Sequence, residues 1–143
     1  MNHEALDIRM AGACLQKLCH NASVKAGWWY DNKMDRDLID LIKSPQSPIE
    51  ARLAKALVAE KLCLTHSEVS EGMEGHRKSL PDDKLTHRPM LEVELADAVI
   101  RIADLAGALD MDLGGAIAEK MEFNRTRADH QPAARAAAGG KAY

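Results

Sequence analysis

The chain has 143 residues, room for one modest core, and a formal net charge of −3, which excludes a global electrostatic pull toward nucleic acid or an anionic membrane. Apolar residues make up 46% but aromatics only 3%, so alanine, leucine and methionine must fill the interior, a composition that suits helix-on-helix packing. Cys14, Cys19 and Cys63 are odd in number and lack CxxC spacing, and they read as small buried side chains in a reducing cytosol. The N-terminus has no continuous apolar run of the signal-peptide kind, and no stretch is long enough to span a bilayer. A soluble, cytoplasmic protein is expected.

Ile8, Ala11, Leu15, Leu18 and Ala22 recur at helical spacing from Glu4 to about Val24, and Gly27 closes that segment. Trp28-Trp29-Tyr30-Asp31 follows as a turn, and Asp37 to Lys43 forms a short helix stopped by Ser44-Pro45. Ser47-Pro48-Ile49-Glu50 is an N-terminal signature, with Ser47 as cap, Pro48 at the first helical position and Glu50 completing a capping box. The helix it opens runs to about Ser79, with Ile49, Leu53, Leu57, Leu62, Leu64 and Val69 among its apolar residues. Gly72 and Gly75 weaken its last turns before Leu80-Pro81-Asp82-Asp83 ends it. Pro89 starts the next helix, whose expected core stripe is Leu91, Leu95, Val99, Ile102 and Leu105. Asp112 caps a last helix from Leu113 to about Arg127, while residues 128–143 are Ala/Gly-rich, without periodicity, and read as a flexible tail. No segment shows sustained β alternation, so an all-α antiparallel helical bundle over residues 1–127 is expected.

Two acidic pairs stand out within this pattern, Glu68-Val69-Ser70-Glu71 and Glu94-Leu95-Ala96-Asp97. Three-residue spacing points both carboxylates of each pair to one side of a helix. The residues between them suffice to end one helix, turn, and lay down an antiparallel partner, so four carboxylates would converge. Such a cluster repels itself unless a cation holds it or some members take up protons. Oxygen-only ligands favour Mg²⁺ or Mn²⁺ over zinc. The Glu-x-x-His pattern of di-iron bundles is missing, since no histidine occupies a matching position. Solvated acidic surface is the competing reading, weakened by Leu64, Leu95 and Ala98 beside the pairs.

A cation held by carboxylates meets substrate phosphates, so basic groups are expected nearby. Lys120, Asn124 and Arg127 fall at i, i+4 and i+7 on the last helix, continuing the stripe of Leu113 and Ile117; dipole compensation at a helix end is the alternative. Arg77 and Lys78 either touch outer phosphates or form a solvated helix end. Trp28 and Trp29, in a turn, offer an indole for stacking a base or plug a gap between helices. Arg101 and Asp104 read either as a structural pair or as support behind the metal ligands.

Together, Glu68-x-x-Glu71, Glu94-x-x-Asp97 and the string Lys120-Met121-Glu122-Phe123-Asn124-Arg125-Thr126-Arg127 resemble the MazG-like group of the all-α NTP pyrophosphatase superfamily, over about Gly27 to His130. The ordered trio carries the resemblance, since ExxE alone is weak. The resemblance implies Mg²⁺-dependent hydrolysis of a nucleoside triphosphate between its α and β phosphates, to the monophosphate and pyrophosphate, in nucleotide-pool house-cleaning. It implies that Glu68, Glu71, Glu94 and Asp97 bind metal and that Lys120, Asn124 and Arg127 hold phosphate or sugar oxygens. It also implies a homodimer or homotetramer. Some relatives carry a further glutamate where this chain has Ser67, which leaves Glu71, Glu74 or hydroxide formed on the metal as the base. Phosphoribosyl-ATP pyrophosphatase and a non-catalytic helical binding module are the alternatives.

Overall fold

The computed structural model describes residues 3–136, apart from the side chains of His130 and Arg135. Within them the chain is mostly helical: α1 (His3–Lys25), β1 (Tyr30–Asp31), β2 (Arg36–Asp37), α2 (Leu38–Lys43), α3 (Pro48–Lys78), α4 (Met90–Ala108), α5 (Leu113–Thr126), a 3-10 turn (Ala128–His130) and α6 (Pro132–Ala136). β1 and β2 pair antiparallel with Tyr30 opposite Asp37, a hairpin too short for alternation to register in the sequence. The first part of the expected tail thus holds two short helical elements, and residues 137–143 lie outside the described residues. No described helix is long and apolar enough to cross a membrane.

Local chemistry sets the boundaries. Gly27 adopts φ 83°, and α1 ends as the Trp28 N–H donates to the Ser23 carbonyl at 3.1 Å. Asp37 caps α2, accepting from the Ile39 and Asp40 N–H groups at 2.8 and 2.9 Å. Ser47 caps α3 by accepting from the Glu50 N–H at 3.1 Å, but Glu50 reaches one residue past the cap, accepting from the Gln46 N–H at 2.7 Å. α3 stops at Ser79, which takes a left-handed conformation, while the Leu80 N–H donates to the Gly75 carbonyl at 3.0 Å. The following loop folds back through a bridge between Pro81 and Pro89 and around the buried Asp82, which accepts from the Lys84 and Leu85 N–H groups.

The described chain divides into two units, Leu15–Met111 and a smaller one made of the residues up to Cys14 with those from Asp112 onward. In the larger, Trp29, Leu105 and Ala108 form a core against Leu38, Ile39, Ile42 and Leu109, with Leu41 fully buried. α3 and α4 pack antiparallel: Gly72 faces Leu91 and Glu94, and Gly75 faces Met90. The two glycines, read in the sequence as weak points, are where the helices approach most intimately.

That approach corrects the expected core stripe. Leu95, Val99 and Ile102 are exposed, whereas Glu94, Ala98, Ala103, Asp104, Leu105, Ala106 and Ala108 are buried. Alanines make up most of the buried residues of α4, as close packing between helices favours, and the bulky Leu95, Val99 and Ile102 turn outward. Ile49, Leu62 and Val69 of α3 are exposed as well. In the smaller unit, Arg9 of α1 pairs with Glu119 of α5 at 2.8 Å and with Asp112, whose carboxylate caps α5 by accepting from the Gly115 N–H at 2.8 Å. The expected inward stripe of α5 is displaced too: Gly114, Gly115 and Ala118 are buried, and Ile117 and Lys120 are exposed.

Candidate functional site

The tight α3–α4 seam brings three of the four singled-out carboxylates together. Glu68 of α3 and Glu94 and Asp97 of α4 each offer an oxygen, all within 4.8 Å of one another. Glu68 and Glu94 are buried and Asp97 half-buried. Crowding three acids away from water favours protonation. Glu94 responds most, its pKa pushed up to about 7 by burial, by a hydrogen bond with Glu68, and by the charges of Glu71, Glu68 and Asp97. Asp97 shifts upward as well, through burial and then the charge of Glu68, with Arg101 opposing and Asp82 adding.

Glu71 is not part of the trio. It is exposed, near enough for its charge to raise Glu94. The convergent oxygens, with no nitrogen or sulfur among them, fit a hard divalent cation, which would offset the mutual repulsion of the three carboxylates.

Arg101 does not pair with Asp104. Its Nε lies 2.6 Å from Glu68 Oε1, so it opposes the negative field of the trio directly. Asp104 is buried and serves different partners: its Oδ1 accepts from Trp29 Nε1 at 2.8 Å and lies 2.9 Å from His20 Nδ1.

A cavity of about 340 Å³ begins at Asp97 and includes Arg101 and Asp104 on α4, Lys61 and Leu64 on α3, and Trp28. The two tryptophans have separated roles. Trp29 is core, with Lys61 Nζ 4.4 Å from its ring, while Trp28 is 69% exposed and lines the cavity. Lys61 went unnoticed in the sequence, although it stands seven residues before Glu68, on the same face of α3. A second, more open hollow of about 540 Å³ lies at the α3–α4 turn, beside His76, His87 and Arg88.

No protein-family model, curated protein or solved structure matches the chain.

Lys78 forms an ion pair with Glu74, which Arg77 also contacts at 2.7 Å, so both basic groups of the helix end are engaged with a neighbouring acid. Those contacts, Lys78 first, hold the Glu74 carboxyl below the ordinary range, which makes it a weak proton acceptor. Lys120, Asn124 and Arg127 belong to the smaller unit. Lys120 Nζ sits 4.8 Å from the Phe123 ring, and Arg127 pairs with Asp129 at 2.7 Å. Asn124 Oδ1 is buried without a hydrogen-bond partner.

Proposed function

We propose that the chain is a Mg²⁺-dependent nucleoside triphosphate pyrophosphohydrolase that cleaves between the α and β phosphates, with Mn²⁺ as a substitute cation. The observation that carries this reading is the convergence of Glu68, Glu94 and Asp97, of which Asp97 also lines a cavity shared with Trp28. A divalent cation on the trio supplies neutralisation of phosphate charge and a lowered pKa for water. The chain's own groups do the rest. Glu94 would hold the cation through its unprotonated carboxylate, Arg101 holds Glu68 in place, and the exposed Glu71 stands near the trio as a proton acceptor. Glu71 also remains a proposed fourth ligand, and Lys120, Asn124 and Arg127 proposed binders of phosphate or sugar oxygens. A cytoplasmic role in nucleotide-pool clearance fits this reaction.

The antiparallel α3–α4 pair supports a bundle of the all-α pyrophosphatase type. The outward aliphatics Leu95, Val99 and Ile102 favour assembly into a homodimer or homotetramer, since a continuous apolar stripe gains from burial against a copy.

Pyrophosphate release from a panel of NTPs and dNTPs, with Mg²⁺ or Mn²⁺ and with chelator, tests the reading. Metal-dependent monophosphate and pyrophosphate are expected, lost in Glu71→Gln with the fold intact. Orthophosphate as product, or no turnover by metal-loaded protein, overturns it. The same exposed stripe favours a non-catalytic docking module as second reading, which an inert protein that retains a partner through Leu95 and Val99 would support.

A further inference from the structure

We infer that the cavity beside the acidic trio selects cytosine or adenine, with Trp28 as the stacking surface and Asp104 Oδ2 as the acceptor that reads the 4-amino or 6-amino N–H. The inference rests on the nucleotide reading above and names the substrate class of that site.

Asp97, Ile100, Arg101 and Asp104 follow at i, i+3, i+4 and i+7, so one face of α4 forms a continuous wall of the cavity. Seven residues of helix span about 10 Å, the scale of a nucleoside from its phosphate-bearing carbon to the far edge of its base. A phosphate held near Asp97 therefore leaves the base beside Asp104. At that level Leu64 and Ile100 supply apolar walls, and the largely exposed indole of Trp28 supplies an aromatic face.

Asp104 is held through one of its two oxygens. Both Trp29 Nε1, at 2.8 Å, and His20 Nδ1, at 2.9 Å, fall on Oδ1, and Oδ2 takes part in neither contact. A carboxylate held this way presents an acceptor and no donor. The 4-amino group of cytosine or the 6-amino group of adenine satisfies it. The 4-keto oxygen of uracil or thymine would set acceptor against acceptor in a buried place. Guanine pairs best with both oxygens of a carboxylate, and one of these is already committed. Mismatch of a buried polar group lowers affinity by roughly tenfold or more.

The test is binding of nucleoside monophosphates followed by tryptophan fluorescence, in chelator and again with Mg²⁺, alongside kcat/KM for the triphosphates. CMP and AMP are expected to quench emission and to bind at least about tenfold tighter than UMP. Trp28→Ala should abolish the quench while the buried Trp29 keeps its emission. Asp104→Asn retains an oxygen for Trp29 and His20 but turns an amide N–H₂ toward the base, so the preference should invert toward UMP. Equal affinities in the unaltered protein, or an unchanged order in Asp104→Asn that still folds, overturn the inference. So does the absence of nucleotide binding. The two proposals fail separately: hydrolysis without base preference removes the base pocket and leaves the reaction, whereas ordered binding without hydrolysis supports the pocket and removes the reaction.

Discussion

Gly72 of α3 faces Glu94 of α4 so closely that a Cβ built on the glycine would stand 3.3 Å from the Cβ of the glutamate. Three residues on, a Cβ on Gly75 would stand 2.8 Å from Cβ of Met90. The spacing of the helices, and with it the spacing of the acids, depends on two missing methyl groups. Gly75→Ala is expected to destabilise the protein by about 1–3 kcal/mol through overpacking, against a helix-propensity gain of about 1 kcal/mol. Gly72→Ala, with a softer contact, should cost less stability yet weaken metal binding by parting Glu68 from Glu94. Urea denaturation and Mn²⁺ titration of both variants check this order.

The pH dependence of stability follows from Glu94. Below about 4.5 both the folded and the unfolded chain hold its proton, and between about 4.5 and 7 only the folded chain does. Its contribution is thus fully present below 4.5 and is lost as pH rises through about 7. Asp97, shifted the same way, adds to the trend. In chelator, stability should fall over this window, and Glu94→Gln should recover on the order of 2 kcal/mol at pH 8. Saturating Mg²⁺ should stabilise the unaltered protein and not the variant. Chemical denaturation at stepped pH reads both effects.

Arg101→Met removes the cation that pairs with Glu68 and leaves that buried carboxylate among its like. Since the arginine is partly exposed, a loss of only about 1 kcal/mol is expected in metal-free protein. The loss should shrink when Mg²⁺ is added, because the ion takes over the neutralisation. A thermal melt with and without the ion distinguishes this from a packing defect, which the ion would not repair.

The adjacent tryptophans should behave oppositely. Trp29→Phe deletes the donor to the buried Asp104 and part of the core, at a cost of about 2–4 kcal/mol. Trp28→Ala should change stability by less than about 0.5 kcal/mol, because its ring is exposed. Parallel denaturation curves of the two variants settle it.

Helix positions were legible because caps and breakers are local: Gly27, Asp37, Ser47 and Asp112 act where the sequence places them. The pairing of Glu94 with Asp97 was legible for the same reason, three-residue spacing being a property of one helix, whereas of the four acids expected to converge only three do. Which face of α4 turns inward was legible only in part: Leu105 is buried as expected, but hydrophobicity also points to Leu95 and Val99, which are exposed, while the buried side carries Ala98. Glu71 shares the spacing of Glu68, yet its exposure depends on the angle of a partner helix that no local pattern encodes. Arg101 and Asp104 invited pairing by proximity in sequence, and longer contacts with Glu68, Trp29 and His20 took precedence.

Residue 28 owes its place to main-chain hydrogen bonds at the end of α1, above all the one from its own N–H to the Ser23 carbonyl. Its side chain contributes almost nothing to holding that turn. The architecture is therefore indifferent to what stands there, and a single codon change at this position alters the lining of the cavity without renegotiating the scaffold. Cavity lining and foldability are separable at this position, open to independent selection.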